Sequence, residues 1–564
     1  MRIKHFFGLA VIAAMTASCS SNNDLVNGGN GSGEVENGTA YASFKINLPT
    51  TTGGTRADVP TPGTPSFDHG TAAEYEVKNG TILIFDATTD KFVTSAELGT
   101  MNPWTDVKAD GVTTAAIATV KLSNVSVTGN YNALVLLNNN TTDNATKKVT
   151  LPTTADTYTT WSKDVLKANA ANYVSTDGIF MANAPMYSET SEPTTLVKIK
   201  NVCASPEEAQ AKAATVVYVE RGLAKVTMKD FTTGGYSIDA GTYEGGNVKI
   251  ENWQLDVTNK STFPVHQTGT LKTSWAEIWN TPRFYDQTST AFKRVYWGVD
   301  PNYNNSDYQT LANCQTAFNM IKNDEVTGTA GEANPQYCLE NTFDLDNMKQ
   351  GQTTRVVFKA VFTPKDLKSK YKTFYKIGNN TTIWSQEDLE KQIKTVALTA
   401  MGITDDKEQA KYGVDLTKGT NISGKAGQHL ITADNITYSD EAASSEVKED
   451  VVKKINEKLG LSDAAGISTY LNGKAYYIAR IKHFNELTSW TAGTPYGSDN
   501  AAFLGRYGVL RNNWYELSVN KVSGLGYPDV PEVKPTVPDD ENDQYINVSV
   551  KILDWAKRSQ SVDL

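Results

Sequence analysis

YINVSVKILDW, residues 545–555, decides how the rest of this chain is read. Ile546, Val548, Val550 and Ile552 fall on one face, and Asn547, Ser549 and Lys551 on the other. That is the period-2 signature of a half-buried strand. In front of it, PDVPEVKPTVPDDENDQ (528–544) carries Pro528, Pro531, Pro535 and Pro538, which break any helix and favour extended backbone. A lone strand cannot stay in water, because its backbone groups and its apolar face need partners. A proline-rich tether of this length reaches roughly 50 Å, enough to cross to a neighbouring molecule. The end of the chain therefore reads as a strand that completes another molecule's sheet.

The opposite end supports this. Residues 1–19 have a basic start (Arg2, Lys4), the apolar run FFGLAVIAAM, then TASC. The pattern is that of a bacterial lipoprotein signal in which the thiol of Cys19 is acylated, with Thr16 standing where leucine is usual. An ordinary secretory signal with a chance cysteine is the alternative. Residues 20–39 form a Gly-, Ser- and Asn-rich spacer. AYASFKINL (40–48) is then a second alternating strand, with Ala42, Phe44, Ile46 and Leu48 on one face. The loop behind it, PTTTGGTRADVPTPGTP (49–65), holds a single base, Arg56, and small-residue loops of this kind are preferred nicking sites. A plain surface arginine is the other reading of that residue.

Taken together, the two strands suggest a mechanism. A cut between Arg56 and Ala57 would release the first strand and leave an open groove, which the last strand of another copy could fill. Burying its four aliphatic side chains contributes about 6–12 kcal/mol before the costs of association. Head-to-tail contacts of this type do not close, so they build a filament.

Bulk properties agree with a packed, exported chain. It has 564 residues, 10% aromatic and 21% charged, with room for two or more domains. Net charge is −10, and becomes −11 without residues 1–56, which carry four bases and three acids. An acidic chain without basic runs argues against nucleic acid as a partner. Thr81–Phe85, Ala133–Leu137, Arg355–Phe362 and Tyr476–Ile481 read as strands. Residues 385–400 and 445–459 read as helices, the first with Ser385 and Asp388 in capping spacing, the second stopping at Gly460. The expected organisation is mainly β with helical insertions. A first β-sandwich covers 57–212, a second 213–527 with most of the helices, and 528–564 is the tether and strand. The run 216–228 is expected to open the second domain.

Chemistry is sparsely signalled. Cys314 and Cys338 would close a loop worth about 3 kcal/mol if paired; three buried thiols, with Cys203, is the equal alternative. His69, His266, His429 and His483 sit in no metal or catalytic motif, so neither enzyme activity, metal nor cofactor is expected. Trp253, Trp275, Trp279 and Trp297 could form a sugar-stacking platform, although tryptophans so spaced more often fill a core. A surface lipoprotein adhesin or glycan-binding protein, such as a tip or accessory pilin, is the alternative function.

The blocks VLRNNWYELSVNKVSGLGYP (509–528), VSVKILDW (548–555), GKAYYIARIKHF (473–484), VVYVERGLAKVTM (216–228), YNALVLLNN (131–139) and TILIFD (81–86), in this order and with these two ends, resemble the Bacteroidales fimbrillins that polymerise into type V pili. Within that family the chain is most similar to the stalk subunit of the short (minor) fimbria. The resemblance implies two transthyretin-like Greek-key β-sandwich domains plus an extended C-terminal donor strand. It also implies lipoprotein export to the outer membrane and cleavage after Arg56 by an arginine-specific protease. Homopolymerisation by donor-strand exchange would follow, with anchor and tip pilins as further partners, in a fimbrium that supports adhesion and biofilm formation.

Overall fold

The computed structural model describes residues 38–49, 70–99, 105–109, 112–140, 147–175, 178–281, 284–285, 293–365, 372–423, 425, 427–439, 447–483, 501–540 and 546–554. The first domain contains β1 (Thr39–Pro49), β2 (Gly80–Asp86), β3 (Phe92–Glu97), β4 (Thr105–Ala109), β5 (Val112–Ser123), β6 (Tyr131–Leu137), β7 (Met181–Asn183), the short helix α1 (Pro206–Ala211) and β8 (Thr215–Arg221). The strands run in the order β3-β2-β6-β7-β8-β1-β5-β4. β8 joins the two halves: Thr215–Tyr218 pair with β1, and Val219–Arg221 pair with β7. The halves face each other across one core, to which β1 gives Phe44 and Ile46, β2 Ile82 and Ile84, β6 Val135 and Leu137, and β8 Val217 and Val219.

β2 and β6 have no solvated face. Leu83, Phe85, Leu134 and Leu136 point away from that core into a second cluster with Trp161 and Phe180, and with Val265 and Leu339 of the following domain. Apolar packing on both sides explains why these two runs are apolar on both faces in sequence.

The second domain is a sandwich of β9 (Ala224–Met228), β10 (Tyr236–Ser237), β11 (Asn247–Asp256), β12 (Gln336–Cys338), β13 (Arg355–Thr363), β14 (Lys474–Arg480), β15 (Asn513–Val522) and β16 (Ile546–Asp554). Its sheets are β12-β9-β15-β16 and β10-β11-β13-β14. Val226, Trp253, Phe358, Tyr477, Tyr515 and Leu517 fill the space between them. Between β13 and β14 the chain makes a lobe with its own core (Ile377, Leu389, Ile393, Ile431 and Ile455). Two helices line it, α2 (Gln386–Met401) and α3 (Glu449–Leu459). Ser385 caps α2 by accepting from the Asp388 amide at 3.2 Å, and left-handed glycines, Gly402 (φ 73°) and Gly460 (φ 71°), end both helices. α3 starts later than its sequence pattern suggests, at Glu449.

The run 216–228, expected to open the second domain, is two strands in two sheets divided at Gly222: β8 pairs in the first sheet and β9 in the sandwich. A side chain at 222 would meet the Phe180 ring at 2.9 Å, so the chain passes there only without one. Ion pairs lock this joint. Glu220 takes the His266 Nδ1 at 2.6 Å and the Arg294 Nε at 2.5 Å. Burial pushes the Glu220 carboxyl up, but Arg294, His266 and Arg511 outweigh it and hold the group at about 2. Lys225 pairs with Glu74 at 2.7 Å and lies 3.7 Å over the Trp514 ring. Buried pairs of this kind cost several kcal/mol to break one-sidedly.

Cys203, Cys314 and Cys338 are free, buried thiols. Cys314 and Cys338 belong to different hydrophobic clusters, so of the two readings left open by the sequence the structure has the thiols. Burial pushes the Cys314 thiol up to about 11 and that of Cys338 up to about 12.

Candidate functional site: the slot that holds the first strand

β1 lies inside its sheet with a neighbour on each side. It pairs antiparallel with β5 along its whole length, from Thr39↔Ser123 to Pro49↔Val112, and parallel with β8 from Phe44↔Thr215 to Asn47↔Tyr218. Upstream of the β8 contact, Tyr41 and Cys203 exchange both backbone hydrogen bonds at 2.8 Å. Ala42, Phe44 and Ile46 are 0% exposed and Leu48 1%, so the four residues that alternate in sequence form the inward face.

The outward face is covered as well, which alternation alone does not disclose. Ser43 is 7% exposed and Asn47 4%. α1 lies over Ser43: the Ser43 hydroxyl donates to the Ala209 carbonyl at 2.8 Å and lies 2.8 Å from the Thr119 hydroxyl. Lys45, between Ser43 and Asn47, is exposed, opposite the exposed Ile117 on β5. The Asn47 Oδ1 is buried without a hydrogen-bond partner, a defect that costs roughly 1–3 kcal/mol. A signal for the clasp was present in the sequence: Ser205-Pro206-Glu207-Glu208 has an N-cap, a proline at the first turn and early acids, and Ser205 does accept from the Glu208 amide at 3.2 Å.

At the other end, β16 pairs antiparallel with β15 of its own chain, from Asn513↔Asp554 to Val522↔Ile546, and is the edge strand of that sheet. Ile546, Val548, Val550 and Ile552 all lie on it.

The proline-spaced segment before β16 is not a loose tether up to residue 540. Val530 and Val533 are buried, and so are Asp539 and Asp540. Arg355 donates to the Pro531 carbonyl at 2.7 Å, and the Gln350 amide donates to the Val537 carbonyl at 2.9 Å. Thr353 donates to Asp539 at 2.8 Å, while Arg506 and Tyr507 reach Asp540 at 2.8 and 2.7 Å. Prolines exclude a helix but leave carbonyls to accept bonds and valines to pack, so composition described the conformation and not the freedom. Cys19, Arg56 and Ala57 lie outside the described residues, as does His69.

The tryptophans do not make one platform. Trp253 is in the sandwich core, and Trp279 and Trp297 are in a separate cluster against which Trp275 packs. An open cleft of about 710 Å³ beside Trp279 is also lined by Tyr187 and Tyr285. Those rings stack on one another, Tyr187–Tyr285 at 3.6 Å and Tyr187–Trp279 at 5.4 Å, so most of their faces are already covered. His266 is committed to Glu220, and His483 to the Tyr515 hydroxyl at 2.7 Å.

Among curated proteins nothing matches the chain. A solved structure from Parabacteroides distasonis ATCC 8503, described as a "putative cell adhesion protein", is similar over 93% of this chain and 99% of its own, with 10% identity and a TM-score of 0.37. A second from the same organism, described as a fimbrial assembly protein, is similar over 57% of this chain and 95% of its own, with 13% identity and a TM-score of 0.25. Residues 468–561 match the family described as major fimbrial subunit protein type IV, fimbrillin, C-terminal. That match spans β14, β15, the clamped segment and β16, so this C-terminal part of the chain is similar to the C-terminal region of the fimbrillins.

Proposed function

We propose that this protein is the stalk-building subunit of a cell-surface fimbria, of the short (minor) type, that polymerises by donor-strand exchange. In this reading the precursor is exported as a lipoprotein acylated at Cys19 and held at the outer membrane. An arginine-specific protease cuts between Arg56 and Ala57, β1 leaves its slot, and β16 of the next copy takes its place. β16 is suited to leave because it is an edge strand with one neighbour, and Asp540 marks how far the clamp holds the tail. Anchor and tip pilins would terminate the filament.

The observation that carries the proposal is β1 itself. It is a central strand, buried on both faces, that ends immediately before the loop holding Arg56. Losing it would strip β5 and β8 of their shared neighbour and open the first core, so something of the same shape must refill the slot. The experiment is Arg56→Ala. The variant should give a folded monomer with β1 in place and no filaments in electron micrographs, while the wild-type surface form should begin at Ala57. Filaments built from the uncut variant would sink the reading.

A further inference from the structure

β1 and β16 share more than alternation. Aligned on their one exposed slot, ASFKIN (42–47) lies over VSVKIL (548–553): serine matches serine, lysine matches lysine and isoleucine matches isoleucine. Resting on the exchange proposed above, we propose that the C-terminal strand of a second copy enters the slot in this register alone, parallel to β8, with Ser549 under α1 at the place of Ser43.

The slot's burial pattern selects the register. Lys551 needs water, and Lys45 marks the exposed outward position in the middle of β1. A shift of two residues either way puts Lys551 at Ser43 or Asn47, which are 7% and 4% exposed, and burying an unpaired charge is costly. A shift of one turns every side chain to the wrong face. Running the strand in reverse with Lys551 at the same slot puts Leu553 at Ser43 and Ser549 at Asn47, so no hydroxyl stands where Ser43 donates to the Ala209 carbonyl.

In the chosen register the fit is close. Ile546, Val548 and Val550 replace Ala40, Ala42 and Phe44, ten side-chain carbons for nine, a nearly volume-conserving exchange. Ser549 can donate to the Ala209 carbonyl as Ser43 does. Leu553 replaces Asn47 and removes the buried carbonyl oxygen that has no partner, so the newcomer suits that position better than the strand it displaces. Asp554 falls at Leu48, the one mismatch of this register because that position is 1% exposed, and it lies beyond the last pair with β8 and where the pairing with β5 breaks step.

Cysteine pairs test this. Thr119 on β5 faces Ser43, so a Thr119→Cys, Ser549→Cys chain should crosslink copy to copy. Within one copy Ser549 faces Ser518 in the other domain's sheet, so the bond cannot form internally. The full-length double variant is trimmed after Arg56 with a trypsin-like protease, assembled, oxidised and run denatured without reductant. Thr119→Cys combined with Asn547→Cys or with Lys551→Cys supplies the comparison, since a disulfide needs Cβ atoms about 4 Å apart and these sites are displaced along the strand by about 7 Å. A covalent ladder from the Ser549 pair, with little from the other two, is the expected result. A ladder strongest at Asn547 or Lys551 overturns the register and leaves strand exchange standing. No ladder from any pair overturns both.

Discussion

β1 and β16 have the same length class and the same alternation, yet the fold treats them oppositely. β1 sits between two neighbours with a core beneath it and α1 above Ser43; β16 has a single hydrogen-bonded neighbour among the described residues, at a sheet's edge. A strand held on two edges and both faces resists leaving, so in the proposed exchange its release would need a covalent cut. One hydrogen-bonded along a single edge has fewer backbone bonds to give up, while the clamp at Asp539 and Asp540 keeps the preceding segment on its own molecule. In the proposed exchange, position in the sheet, more than composition, would separate the strand that is displaced from the strand that is lent.

The largest expected effect is at the four-sided end. Phe44→Ala removes a fully buried ring from the first core and should destabilise the full-length chain by about 3–5 kcal/mol. Urea unfolding followed by tryptophan fluorescence reads it; a cost under about 1 kcal/mol would mean that β1 is not held as described.

Next comes the clamp. Arg506→Ala leaves the Asp540 carboxylate largely buried without its ion-pair partner, which should cost about 3 kcal/mol locally. The clamped segment should then be cut faster by proteases near residues 528–540, while β1 and its domain are untouched. Equal protection of this segment in the variant and the wild type would show that the clamp does not hold the tail.

The smallest effect sharpens the contrast. Asn47→Leu places on β1 the residue that Leu553 supplies in the proposed register. It should stabilise the uncut chain by about 1 kcal/mol and slow polymerisation after trimming. Light scattering after protease addition measures this, and faster assembly would contradict the ordering of the two occupants.

Much of the scaffold was legible. TILIFD and YNALVLLNN are continuously apolar because β2 and β6 are covered on both faces, and the spacing of Leu389, Ile393 and Ile455 marks helix faces that do pack. Ala42, Phe44, Ile46 and Leu48 were readable as one inward face. Three things were not. The run 216–228 reads as one strand, and only the strand pairings show that it divides at Gly222 between two sheets. Ser43 looks like a solvent-side residue, because a helix arriving from more than 150 positions away leaves no trace in local alternation. The segment 528–540 looks free because proline fixes a torsion angle, whereas the residues that hold it, Arg355, Thr353 and Arg506, are distant in sequence.

Local chemistry by itself determined that two strands of one period stand near the two ends of this chain, since side-chain alternation is a property of neighbouring residues. The tertiary structure decided which of them is central and which is at an edge, what covers each, and where the tail is gripped. Those depend on pairing partners and burial, which are set by long-range packing and are invisible to any window along the sequence.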